Sequence, residues 1–191
     1  MRKLFYIFRH GETDYNTVRR WQGSGIDIPL NATGVAQAQN LVSLLRDKGI
    51  QIIYSSPLKR ALQTAEIVAA GLGVPVKIVS ELREGCLGET EGMLKQEVAL
   101  KFPDIFQQWY DDANDMDIAF PGGETKNQIQ QRMLGAVERL LQTPQQVIGI
   151  SSHSASIRYF LMKFGHKPHA MKNTALFRLS YEDGIWDLQE L

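Results

Sequence analysis

The sequence predicts an α/β fold: a three-layer α/β/α sandwich with helices on both faces of a mostly parallel central sheet. Two observations carry that expectation. Short, nearly continuous apolar runs recur along the 191 residues, as strands buried on both faces require. Between them lie segments with a 3.6-residue apolar period, so strand and helix alternate as in crossover units. The length suits one full core, and residues 1–191 are read as a single domain.

The first strand is the run Leu4-Phe5-Tyr6-Ile7-Phe8. A buried strand cannot hold charge at its middle, so Arg9 and His10 must emerge at its carboxyl end, where open α/β sheets bind ligands. A polar, glycine-bearing loop over residues 11–30 follows. Thr33 is the expected N-cap of a helix carrying Val35, Ala38, Leu41, Val42 and Leu45 inward, with Gly49 at its end. Residues 50–55 read as the second strand, and Pro57 stands where a proline opens a helix. That helix carries Leu58, Ala61, Leu62, Ala65, Ile67 and Val68, and residues 74–79 form the third strand.

An acidic loop spans residues 82–92, and two amphipathic stretches, 95–102 and 105–112, are divided by Pro103. The turn Phe120-Pro121-Gly122-Gly123-Glu124 leads into a long helix over residues 125–141. Residues 147–151 are the fourth strand, which runs into Ser152-His153-Ser154 and a helix over 155–164. The last two segments, 175–181 and 185–191, read as a hairpin around Asp183-Gly184 at the sheet edge.

Lys and Arg total 21 and Asp and Glu total 21, so the net charge is zero. That argues against nucleic acid or an anionic membrane as a partner. The single cysteine, Cys86, rules out an intrachain disulfide, and the amino-terminal apolar run is too short for a signal peptide. A cytoplasmic, reducing location is the expectation.

The ionisable residues fall at the ends of the strands. Arg9 and His10 follow the first, Arg60 lies in the first helical turn after the second, Glu84 follows the third, and His153 follows the fourth. Parallel strands would bring all five to one edge of the sheet. Arginine matches phosphate bidentately and stays ionised. A histidine nitrogen can attack phosphorus, and a carboxyl can protonate the departing oxygen. Fixed cations can neutralise the phosphoryl oxygens without a metal. This set suits phosphoryl transfer.

Arg9-His10-Gly11-Glu12-Thr13 resembles the signature of the histidine phosphatase superfamily, also called the phosphoglycerate mutase-like family. The supporting motifs recur in order across nearly the whole chain. They are Asn16, Gln22-Gly23, Ser55-Ser56-Pro57-Leu58-x-Arg60, Leu82-x-Glu84-x-x-x-Gly88-x-x-Glu91-Gly92, Pro121-Gly122-Gly123-Glu124-Thr125 and Ser152-His153. Ser154 stands where that family commonly has glycine, and Cys86-Leu87 and Thr90 where it often has aromatics.

The resemblance implies a phosphoglycerate mutase-like fold and a role for each residue. His10 would be transiently phosphorylated. Arg9, Asn16, Arg60 and His153 would form the phosphate pocket, with the backbone at Ser154 as a further donor. Glu84 would be the general acid and then the base, and Gln22 and Gly23 would line the substrate side. Arg9, Arg60 and an ionised His153 would keep His10 neutral. No cofactor is implied. The expected partner is a small phosphorylated metabolite, with a homodimer as an option.

Several residues have ordinary readings beside these. Cys86 lacks an implied base and reads as packing. His166-x-x-His169 has a metal-like spacing, but Pro168 interrupts it and no acidic or cysteine ligand completes a set. Trp21, Trp109 and Tyr110 suit either an apolar wall over the substrate or the core. The reading is a metal-independent phosphatase for small phosphomonoesters. Its rivals are a phosphoglycerate mutase and a non-catalytic phospholigand-binding module. The short stretch between Gly92 and Pro121 favours access of water and therefore hydrolysis, and a mere binder would have no use for Glu84.

Overall fold

The computed structural model describes residues 2–110, 115–166 and 171–191. Its strands are β1 (Arg2–Arg9), β2 (Ile52–Ser55), β3 (Val76–Ile78), β4 (Val147–Ser152), β5 (Leu176–Glu182) and β6 (Ile185–Glu190). Its helices are α1 (Asp14–Thr17), α2 (Ala32–Leu45), α3 (Lys59–Leu72), α4 (Lys95–Lys101), α5 (Pro103–Tyr110), α6 (Lys126–Leu141) and α7 (Ser154–Met162). The six strands form one sheet in the order β3-β2-β4-β1-β5-β6. The first four are parallel, and β5 and β6 add an antiparallel hairpin at one edge.

The alternation along β1 builds the three layers. Phe5 and Ile7 pack on one face with Met133 and Val137 of α6 and Ile157 and Phe160 of α7. Tyr6 and Phe8 pack on the other with Leu41 and Leu45 of α2 and Ala65 and Val68 of α3. Burying each such side chain contributes about 1.5–3 kcal/mol. A third cluster joins Leu87, Val98, Trp109, Phe120 and Tyr159, with Trp21 against it, at the carboxyl end of the sheet.

Strand β4 inserts between β1 and β2. Its register pairs Arg9 with Ser152. The ladder continues one residue beyond β1, where the His10 N–H donates to the Ser152 carbonyl at 3.1 Å. His10 and His153 therefore stand side by side.

Local chemistry moves two boundaries and adds a short helix. The cap of α2 is Asn31, not Thr33: the Asn31 side chain accepts from the Gly34 N–H at 2.8 Å, which starts the helix two residues earlier. Pro57 does not open α3, which begins at Lys59 after Leu58. Ser56 Oγ accepts the Leu58 N–H at 3.2 Å and holds that dipeptide in a turn. The loop after His10 contains a helix, α1, closed by a reciprocal cap between Thr13 and Asn16.

Gly11 is required by a close approach. A Cβ there would run into the Gly34 carbonyl at the start of α2, and one on Gly34 would run into the Glu12 backbone. No described helix is long and apolar enough to cross a membrane.

Candidate active site

A cavity of ≈ 190 Å³ opens at the carboxyl ends of the parallel strands. Eight of the nine expected site residues line it: Arg9, His10, Asn16, Gln22, Gly23, Arg60, Glu84 and Ser154. His153 lies deeper, fully buried, with its ring centroid 5.2 Å from that of His10.

The tautomer of His10 follows from its neighbour. Nδ1 lies 2.6 Å from the Gly11 carbonyl oxygen, which can only accept, so Nδ1 carries the proton. Nε2 keeps its lone pair. Burial, then the charges of Arg9 and Arg60, hold the imidazole well below its ordinary range, so the ring is neutral.

His153 is neutral as well, contrary to the expectation of an imidazolium. Burial is the main cause, with Arg60, His10 and Arg9 adding to it. Among the described residues no carboxylate pairs with this buried ring. Its Nε2 lies 2.7 Å from Ser56 Oγ.

The two arginines are held by backbone carbonyls. Arg9 donates to Met171 at 2.6 Å. Arg60 donates to Ile26 at 2.8 Å and to Gly23 at 2.7 Å, which ties the loop after Gln22 to the start of α3. Burial pulls Arg9 down to about 10, with Glu84 opposing, so it remains a cation at neutral pH. Among the described residues, Arg9 Nε, Arg60 Nε and His153 Nδ1 are buried with no partner. Buried donors are rarely left so unless something else fills the site.

Asn16 is oriented by its surroundings. Its Oδ1 accepts from the Thr13 N–H and hydroxyl, each at 3.1 Å, and from Asn173 Nδ2 at 3.2 Å. The amide NH₂ is thereby directed elsewhere.

Glu84 is held by three backbone donors. The Gly85 and Ser156 N–H groups lie 3.0 Å from Oε1 and the Ala155 N–H lies 3.2 Å from Oε2, while the Ser156 hydroxyl donates to the Arg83 carbonyl at 2.7 Å. The Ala155 and Ser156 amides, in the first turn of α7, are thus turned to the carboxylate. The loop bearing Glu84 is fixed from behind by Arg132. This side chain grips Glu124 through two bonds of 3.0 Å and the carbonyls of Glu81 and Arg83 at 2.6 and 2.9 Å.

A match to the family model of the histidine phosphatase superfamily (branch 1) spans residues 5–191. The chain belongs to that superfamily. A Bacillus subtilis relative, named as an uncharacterized phosphatase, PhoE, is 31% identical over 190 residues, covering 96% of this chain and 91% of that protein. A probable phosphoglycerate mutase of Proteus mirabilis, GpmB, is 30% identical, covering 95% of this chain and 86% of that one. Among solved structures, a mycobacterial glucosyl-3-phosphoglycerate phosphatase superposes with a TM-score of 0.86 at 26% identity, covering 97% of each chain. The family and these phosphatase relatives support a phosphatase enzyme with the histidine phosphatase fold.

In this histidine phosphatase the cavity has an outer part that sequence reasoning assigned only partly. Trp21, Trp109 and Tyr110 do line it, along with Leu87. Arg20 and Arg158 line it too and were missed. The signals were present: Arg20 adjoins Trp21-Gln22-Gly23, and Ala155, Arg158 and Tyr159 share one helical face. Asn173, which holds Asn16, gave no signal of its own.

The pairing of His166 with His169 falls outside the description, because residues 167–170 are not described. His166 itself lies 3.5 Å from the Glu190 carboxylate. Among the described residues no cluster of three His, Cys, Asp or Glu side chains is placed to hold a metal. Cys86 is partly buried, its thiol near the Gly122 carbonyl.

Proposed function

We propose that this chain hydrolyses small phosphomonoesters through a phosphohistidine at His10, with Glu84 as general acid and base. The observation that carries this reading is the His10 tautomer. Nδ1 is committed to Gly11, which leaves a neutral Nε2 lone pair in a cavity ringed by guanidinium groups.

In the first step Nε2 attacks phosphorus while the ester oxygen leaves, and Glu84 supplies the proton that oxygen takes. In the second step Glu84 removes a proton from water, the oxygen attacks phosphorus, and the N–P bond breaks to release phosphate. Arg9, Arg60, His153 and the Asn16 amide carry the phosphoryl oxygens through both steps, and Ser154 borders that subsite. Gln22 and Gly23 border the leaving group. Metal-free turnover follows if the guanidinium groups supply the charge.

The test is alkaline rapid-quench of the full chain with a ³²P-labelled aryl phosphate in the presence of chelator. An acid-labile phosphoenzyme is expected in the wild type and absent from His10→Ala. Turnover by His10→Ala at the wild-type rate would sink the mechanism. Mutase-type transfer differs only in the acceptor, a phosphoglycerate hydroxyl in place of water, and the Proteus relative gives it weight. Retention of label in phosphoglycerate rather than in free phosphate would favour that reading.

A further inference from the structure

Ser56 and His153 meet beneath the arginine cradle. Both are fully buried, and Ser56 Oγ lies 2.7 Å from His153 Nε2. A hydroxyl has one hydrogen and two acceptor lone pairs. The Leu58 N–H, 3.2 Å from Ser56 Oγ, takes one lone pair.

Two arrangements of the remaining hydrogens exist. If His153 Nε2 donates, the Ser56 hydrogen is buried with no other acceptor among the described residues, and Nδ1 is left as a bare, buried lone pair. If the hydroxyl donates to Nε2, every group in the relay is satisfied. The hydrogen left over then sits on Nδ1. That nitrogen is buried and has no partner among the described residues, in a ring 5.2 Å from His10. A donor left over beside Arg9, Arg60 and His10 is what an anion completes.

We propose that Ser56 is a positioning residue. The relay from the Leu58 N–H through the Ser56 hydroxyl to His153 Nε2 holds His153 as its Nδ1–H tautomer, and that N–H donates to the bound phosphoryl group. His153 then serves the anion without bringing a positive charge against His10. The two histidines carry their protons on the same nitrogen for opposite ends. The Nδ1–H of His10 is consumed by Gly11, which exposes a lone pair; the Nε2 of His153 is consumed by Ser56, which exposes a proton. The proposal rests on the phosphoryl-transfer reading only in requiring an anion in the cavity.

The test is ¹⁵N spectroscopy of the full chain with labelled histidine, His153 being assigned by its absence in His153→Asn. Protonated and unprotonated ring nitrogens resonate far apart, so the tautomer is read directly. Expected is a protonated Nδ1 and a bare Nε2, with the Nδ1 proton moving downfield at inorganic phosphate concentrations that shift the His10 signals. In Ser56→Ala the tautomers should mix and kcat/KM for an aryl phosphate should fall about ten- to hundredfold. Ser56→Thr, which keeps the hydroxyl, should recover most of both.

A wild-type spectrum with the proton on Nε2, an imidazolium, or an Nδ1 signal indifferent to phosphate overturns the proposal. So does Ser56→Ala with unchanged His153 nitrogens. The wild-type spectrum decides the tautomer even if Ser56→Ala fails to fold. The expected tautomer without any turnover would remove the phosphatase reading and leave this one standing.

Discussion

His10 and His153 face each other with ring centroids 5.2 Å apart, carried by adjacent parallel strands in which Arg9 is registered against Ser152. Both rings are buried, and both are held well below the ordinary 6.5 by burial first and by neighbouring arginines second. The native state therefore refuses protons that the unfolded chain accepts. Stability contributed by the neutral rings is fully present above pH 6.5 and is lost as pH falls through 6.5 toward the depressed native values. Each ring contributes a slope of up to about 1.4 kcal/mol per pH unit in that window. Urea unfolding at pH 7.5, 6.5 and 5.5 measures it. Replacing His153 by Asn should remove about half of the slope, and a stability flat across this window would contradict the charge states.

The acid and base roles proposed for Glu84 are separated by the choice of leaving group. With an aryl phosphate, whose oxygen departs with little help, Glu84→Gln should slow mainly the second step. A burst of phenol close to one per enzyme is expected, followed by turnover reduced about 10²- to 10⁴-fold. With an alkyl phosphate the burst should disappear, because the first step then lacks its acid. Equal losses on both esters without a burst would remove the acid–base assignment.

Arg132 does not line the cavity, yet it fastens the loop that carries Glu84. Burial works to raise the Glu124 carboxyl and is outweighed by Arg132, the Cys86 N–H and Arg83, which leave it below the ordinary carboxylate range. Arg132→Met should leave the Glu124 carboxylate to Arg83 and the Cys86 N–H and free the carbonyls of Glu81 and Arg83. The expected cost is about 2–4 kcal/mol of stability by denaturant unfolding, since the pair is mostly shielded from water. A fall in kcat that exceeds the rise in KM should accompany it. A change in stability alone would mean the network does not position Glu84.

Glu91 joins two loops that line the cavity. Its carboxylate accepts the Ser24 and Gly25 N–H groups at 3.1 and 2.9 Å and the Leu87 N–H at 2.9 Å. A side chain on Gly23, whose φ is +55°, would strike that carboxylate. Glu91→Ala should cost about 1–3 kcal/mol and raise KM more than it lowers kcat. Glu91→Gln, which keeps one acceptor oxygen, should restore part of the loss. Faster amide exchange at Ser24 and Gly25 would report the loosened loop; unchanged exchange would count against the clamp.

Much of this arrangement was legible because parallel strands turn sequence order into spatial convergence. Apolar runs marked the strands, and the residue types following them marked the cavity edge. What stayed hidden depends on distance and on water. The cap at Asn31 and the turn at Ser56 are choices between neighbouring side chains that propensity ranks almost equally. Arg20 enters the cavity from a loop whose course no periodicity describes, and Arg158 enters it from one face of α7. The charge of His153 turns on desolvation, which only the burial of its ring makes visible. An imidazolium was the natural expectation for a ring meant to hold phosphate, and the interior does not support it.

The insertion of β4 between β1 and β2 also has a temporal side. Strands β1 and β2 do not pair with each other; each is bound to a strand made when four-fifths of the chain has been synthesised. Such non-local pairings are slow to form and come late in assembly. A nascent chain that has already produced Arg9, His10, Arg60 and Glu84 has no wall to hold them until His153 arrives. The cavity edge that these strands form is thus completed only when β4 is in place.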